Sequence, residues 1–153
     1  MIIYRDAKPG DEQTIHQLIN QLAIFELEPN AVINTPEAIH RHLFIDKICF
    51  AIVAEKQDDR EIIAFALYYF SYSTWKGVCL YLEDIYVQES YRKLKIGQTL
   101  FDRVVEEAKK NKVPRMDWQV LNWNHSAINF YKKNNAELSD QWLNGRLFFD
   151  YSI

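Results

Sequence analysis

The sequence predicts one α/β domain over residues 1–153, with a mixed sheet flanked by helices. Three features carry that expectation. Stretches with strand periodicity alternate with amphipathic helical stretches in the order β-αα-β-β-β-α-β-α-β. Residues 48–55 and 62–71 are joined by the polar turn 56–61, which is a hairpin signal. Residues 78–88 form a nearly continuous apolar run, as in a strand covered on both faces, and lead through a basic turn into a helix. With 153 residues and 48% hydrophobic content, the chain can fill one sizeable core but not two ordinary domains.

Ile2, Ile3 and Tyr4 open the chain as a short strand that Pro9-Gly10 ends. Ile15, Leu18, Ile19, Leu22 and Ala23 then recur at helical spacing, with Asp11 and Glu12 where a first turn favours acids. Pro29 is expected to stop this helix after Phe25-Glu26-Leu27-Glu28, and His16 to face solvent. Thr35-Pro36-Glu37 combines an N-cap, a proline suited to a first turn and an acid, so a second helix is expected over 36–44. Past the hairpin, residues 71–77 form a loop whose Trp75 is a natural cap for the core. Ile96, Leu100, Phe101, Val104, Val105 and Ala108 mark one face of the next helix. Pro114 breaks that pattern, and Met116, Trp118 and Val120 alternate with Asp117, Gln119 and Leu121 as a strand over 115–121. Asn122-Trp123-Asn124 makes a turn. Ala127, Ile128, Phe130 and Tyr131 open a short helix that Asn134-Asn135 can end in a left-handed cap, and residues 146–151 are expected to form the closing strand.

Glu83 and Asp84 interrupt the apolar run at 78–88. A buried, unpaired carboxylate costs on the order of several kcal/mol. Either the strand frays there and both acids face water, or they work in a site; strand alternation sends them to opposite faces. Tyr91-Arg92-Lys93-Leu94-Lys95-Ile96-Gly97 then sets three cations and one glycine directly before a helix N-terminus. Free N–H groups, the helix dipole and those cations favour an anion such as phosphate, the alternative being a solvated basic turn. The spacing is neither a dinucleotide fingerprint nor a P-loop, because Gly97 is the only glycine of this turn and no Gly-Lys-Ser/Thr follows.

A net charge of −3 and a pI near 5.8 argue against nucleic acid as partner and suit a cationic one. Cys49 and Cys79 fall inside apolar strand patterns, where free cysteine packs as a small hydrophobe, so no disulfide is expected. His40 and His42 lie too close in sequence to share a helical face, and no metal site is expected. No window approaches the length of a membrane span, and Met1 to Gly10 lacks a basic start with an apolar core, which makes the cytoplasm the expected compartment.

With these residues in view, the sequence resembles the GNAT superfamily of acyl-CoA-dependent N-acetyltransferases, whose pyrophosphate loop reads Arg/Gln-x-x-Gly-x-Gly/Ala after the fourth strand. Arg92 and Gly97 match that pattern, and Lys95 stands where it has glycine. Tyr68-Tyr69-Phe70, Trp75, Tyr81-Leu82-Glu83-Asp84, Trp123-Asn124 and Ile128-Asn129-Phe130-Tyr131-Lys132 look like its spermidine/spermine (diamine) and thialysine branch. The resemblance spans nearly the whole chain. It implies a GNAT-like, mostly antiparallel mixed sheet, with central strands 78–88 and 115–121 splayed apart to form the acyl-CoA site. Backbone groups of Ile85, Tyr86 and Val87 would hold the acetyl and pantetheine portions. Arg92, with the turn Lys93, Leu94, Lys95, Ile96, Gly97 and Gln98, would cradle the pyrophosphate, and Asn124, His125, Ser126 and Ala127 would touch the cofactor from the other wall. Phe25, Glu26, Trp75, Glu83, Asp84, Asp117, Trp118 and Gln119 would line the amine site. The branch pairs subunits, so a homodimer is implied; Leu147-Phe148-Phe149 offers it an edge or else belongs to the core.

The implied activity is acetyl-CoA-dependent transfer to a primary amine of a small di- or polyamine or a lysine-like substrate. An alkylamine of pKa about 10.4 is neutral only once in ~2,500 molecules at pH 7. An ordinary Glu at about 4.3 would face roughly 8 kcal/mol in taking its proton before attack. Glu83 is therefore expected to orient the amine and receive a proton as the N–C bond forms, and Tyr131 to donate a hydrogen bond to the departing thiolate. A backbone N–H near Ile85 would meet the oxyanion. Glu26, Glu83 and Asp84, with Glu28 and Asp117, are more carboxylates than one amine needs, which a second ammonium explains. The rivals are acetylation of a protein or peptide and an acyl-CoA-binding module without turnover.

Overall fold

The computed structural model describes residues 1–151 as two compact units, Met1–Trp118 and a smaller one beginning at Gln119. In the first, five strands lie in sequence order: β1 (Ile2–Asp6), β2 (Phe50–Lys56), β3 (Ile62–Ser73), β4 (Gly77–Val87) and β5 (Met116–Asp117). The first four run antiparallel, and β5 joins β4 in parallel through Leu80–Met116 and Tyr81–Asp117. Helices α1 (Glu12–Phe25), α2 (Pro36–His40) and α3 (Ile96–Lys110) belong to the same unit. This is the mixed, mostly antiparallel sheet with flanking helices that the sequence implies.

Each helix follows from its apolar stripe. Ile15 and Leu18 of α1 and Ile39 of α2 pack with Val53, Phe65 and Tyr86 in one core cluster. Ile96, Leu100, Phe101, Val104 and Ala108 are the buried face of α3. α2 starts where expected, with Pro36 in its first turn and the Thr35 hydroxyl accepting the Ala38 N–H at 3.1 Å; a π-helical turn, Arg41–Ile45, continues it. Both cysteines are free.

Four expectations are corrected. α1 ends ahead of Pro29, because Leu27 turns left-handed (φ 63°) and the Leu27 and Glu28 N–H groups close back on Ile24 and Ala23. His16 does not face solvent: its Nε2 lies 2.8 Å from the Asn34 carbonyl, since the segment after α1 returns beside the helix. The strand at 115–121 is reduced to Met116–Asp117, and residues 146–151 form no strand, with Leu147, Phe148 and Phe149 at 83%, 90% and 73% exposure. Apolar alternation marks a face, but a strand exists only where a neighbour accepts its backbone hydrogen bonds.

In the second unit, α4 (His125–Lys133) begins with the Asn124 side chain accepting the Ala127 N–H at 3.2 Å. It ends as the sequence suggests, with Asn135 left-handed (φ 63°) and the Ala136 N–H on the Tyr131 carbonyl. No helix among the described residues is long and apolar enough to cross a membrane.

Candidate active site

After Tyr81, β4 loses its β5 neighbour but continues to Val87, so its far edge from Leu82 onward has no paired strand among the described residues. The edge is open from Leu82 to Val87 among the described residues. It coincides with a β-bulge. Leu67 of β3 faces Asp84 and Tyr68 faces Leu82, which leaves Glu83 as the extra residue. The bulge interrupts strict alternation at this point, with Glu83 exposed and Asp84 partly buried. Both act electrostatically on the Tyr81 phenol, and Glu83 acts on Asp84 as well.

Asp84 lies on the α1 side of the sheet, beside Leu67, and close enough to Glu26 at the end of α1 for the two charges to interact. Burial first, then the charges of Glu83 and Glu26, push the Asp84 carboxyl up to about 7. Burial also raises Glu26. Tyr69 and Tyr81 stand with ring centroids 5.2 Å apart, and burial followed by the Glu83 charge raises both phenols. Tyr81 is the residue that the sequence reading leaves out of the site; its signal was an aromatic two residues before the acidic pair, but its pairing with Tyr69 required the β3–β4 register. Chemically, a crowded and partly neutralised acid cluster is relieved by an ammonium ion.

The basic turn follows the end of β4. Arg92 is engaged within the protein: its Nε donates to the Val87 carbonyl at 3.1 Å, and its guanidinium carbon lies 4.8 Å from the Phe25 ring and 5.5 Å from the Tyr86 ring. It thereby joins the turn to the Phe25-Glu26 corner. The Tyr86 hydroxyl donates to Gln21 Oε1 at 3.3 Å, which holds the same corner from α1. Lys93 and Lys95 are exposed and both left-handed, with φ of 65° and 62°. Lys95 is the N-cap of α3 yet supplies no capping bond. A left-handed lysine costs about 1 kcal/mol or more relative to glycine. At Gly97 an added Cβ would meet only Val87 Cγ2, at 3.7 Å, so the fold itself tolerates a side chain there and glycine keeps the helix start bare.

Other predicted positions are not gathered. Trp75 is 86% exposed at the β3–β4 turn, so it does not cap the core, and it lies about 20 Å along β4 from Glu83. Asp117 is matched by Arg115 Nε at 2.9 Å, and Trp118 packs edge-on to Phe101 of α3, with centroids 5.5 Å apart. Gln119, in the second unit, donates to Asn144 at 2.7 Å. That unit also carries exposed His125 and Ser126 at the start of α4 and buried Tyr131, whose ring meets Phe130 at 5.3 Å.

Comparison with known proteins agrees with this geometry. Residues 15–135 match the acetyltransferase (GNAT) family. A Bos taurus thialysine N-epsilon-acetyltransferase is 36% identical over 143 residues, covering 89% of this chain and 84% of its own. A Homo sapiens spermidine/spermine N(1)-acetyltransferase-like protein is 34% identical over 138 residues, 86% of this chain and 20% of that longer protein. Among solved structures, an aminoglycoside acetyltransferase from an uncultured soil metagenomic sample superposes with a TM-score of 0.79 at 15% identity, over 97% of each chain. The chain belongs to the acetyltransferase (GNAT) family.

Proposed function

We propose that the protein transfers the acetyl group of acetyl-CoA directly to a primary amine of a small di- or polyamine or a lysine-like molecule. The observation that carries this is the Glu26, Glu83 and Asp84 cluster, set at a bulge where β4 turns an open edge toward the basic turn before α3. The named activities of the relatives, on thialysine and in a spermidine/spermine-acetyltransferase-like protein, support the same substrate class.

The residues present fit acetyl-CoA. The open edge at Ile85 and Val87 offers backbone groups to the pantetheine amides, with the Val87 carbonyl already accepting from Arg92 and the Tyr86 backbone turned to Phe65 of β3, and the bare start of α3 with Lys93 and Lys95 suits a pyrophosphate. Arg92 serves this reading by fixing the turn. Asn124 to Ala127 at the start of α4 are proposed as further cofactor contacts. Glu83 and Asp84 orient the amine, whose neutral form attacks the thioester carbonyl, and Glu83 accepts, directly or through water, the nitrogen-bound proton that becomes acidic as the N–C bond forms. A backbone N–H near Ile85 stabilises the oxyanion, and the Tyr131 hydroxyl donates to the departing thiolate.

A homodimer belongs to the same reading. Trp75 and Tyr72 at the β3–β4 turn, and Trp142 through Tyr151 in the second unit, expose more large apolar side chains than a monomer ordinarily does. A second copy covering the hairpin would give Trp75 an environment that one chain does not. Sedimentation should give the dimer mass. Turnover is tested by free-thiol release from acetyl-CoA against mono-, di- and polyamines, lysine analogues and lysine peptides. Diamines or lysine analogues should react fastest. No thiol release with any of them, or equal rates with peptides, refutes the proposal.

A further inference from the structure

A cavity of about 350 Å³ opens at the C-terminal end of α3. Its size falls in the small-molecule range. α3, at 15 residues, separates it from the Lys95 turn by about 20 Å. One wall is aromatic. Phe50 and Tyr68 lie nearly parallel, 5.6 Å apart at 26°, and Phe70 stands edge-on to both at 5.9 and 6.2 Å. Phe50 and Phe70 each keep 36% of their surface exposed.

The lining also holds two acids, Asp6 at the end of β1 and Glu107 on α3, and one cation, Lys110. Neither carboxylate has an ion pair or hydrogen bond among the described residues, and Lys110 at the rim pairs with neither. Tyr68 supplies the independent sign of a ligand. It is only 5% exposed, yet its hydroxyl meets no hydrogen-bond partner among the described residues. Burial, then the charges of Glu107 and Asp6, raise its pKa, so the hydroxyl sits in the field of both carboxylates. The side chain is buried while its hydroxyl is reached from the cavity, so a ligand there can bond to it.

We propose that this cavity binds a small organic ammonium ion. Asp6, Glu107 and the Tyr68 hydroxyl hold its charged head, and the faces of Phe50 and Phe70 carry its alkyl body. Ring faces and carboxylates both attract an ammonium. A carboxylate or phosphate ligand would be repelled by two acids and attracted only by Lys110, and a neutral ligand would leave both acids unmatched. The proposal does not depend on acetyl transfer.

The test is n-pentylammonium titrated into the full chain and followed by amide NMR, with 1-pentanol as the uncharged control. Saturable shifts at the Ala7, Ala51 and Asn111 amides are expected, with pentanol at least about tenfold weaker. Glu107→Gln and Tyr68→Phe should each weaken n-pentylammonium about three- to tenfold. Should Tyr68→Phe fail to fold, Glu107→Gln on a half-exposed helical position carries the test. Shifts absent from those amides, confined to Glu26 and Asp84, equal for pentanol, or unchanged by Glu107→Gln overturn the proposal.

Discussion

Replacing Asp84 by asparagine removes the most strongly perturbed carboxyl of the site while nearly keeping its shape. In the folded protein this group titrates near 7, against an ordinary 3.8. Between those values the folded state retains a proton that the unfolded chain has released, so stability falls as pH rises from about 4 to about 7 and the loss is complete above that. At 1.36 kcal/mol per pH unit the ceiling is about 4 kcal/mol, and between pH 4.5 and pH 8 about 3 kcal/mol. Asp84→Asn abolishes this term. Its stability relative to the parent should therefore improve by about 2–3 kcal/mol on going from pH 4.5 to pH 8, measured by urea unfolding at both values. A difference that stays constant within about 0.5 kcal/mol would mean that Asp84 is ordinarily ionised in the fold. Calorimetry in buffers of different ionisation enthalpy adds a second check. A diamine docking at the cluster should release protons at pH 7, because its charge draws the carboxyl back toward the ionised form.

Lys95→Gly should relieve about 1 kcal/mol of left-handed strain and weaken acetyl-CoA binding at low salt through the lost charge, while at high salt, where that charge is screened, affinity should match or exceed the parent's. A large loss at high salt would make the ammonium itself indispensable. Tyr131→Phe is expected to slow the chemical step by roughly 10²–10⁴ with cofactor affinity intact; unchanged single-turnover kinetics would reduce the side chain to packing. Glu26→Gln should raise KM about tenfold or more for diamines and little for monoamines of equal length, and loss of that discrimination would refute a second ammonium site beside Asp84. Arg92→Lys keeps the charge but cannot stack on both rings, so it should raise the amine KM more than it weakens acetyl-CoA; the reverse order would restore Arg92 to the pyrophosphate.

Periodicity alone determined most of the scaffold. The apolar stripes of α1 and α3, the Thr35 cap, the β2–β3 hairpin and the left-handed end at Asn135 are local consequences of residue type and spacing. The strand, basic turn and helix that frame the candidate site were legible for the same reason. What was not legible depended on partners distant in the chain. Whether residues 115–121 and 146–151 become strands is decided by a neighbouring ladder and not by their own alternation. The bulge at Glu83 exists only in register with Leu67 and Tyr68. Arg92 reads as a phosphate ligand in one dimension; that its guanidinium also lies over Phe25 and Tyr86 is set only by folding. The cavity beside Tyr68 joins Asp6 to Glu107, a hundred residues away along the chain. Charge and burial at such places are properties of assembled surfaces, and a linear pattern cannot state them.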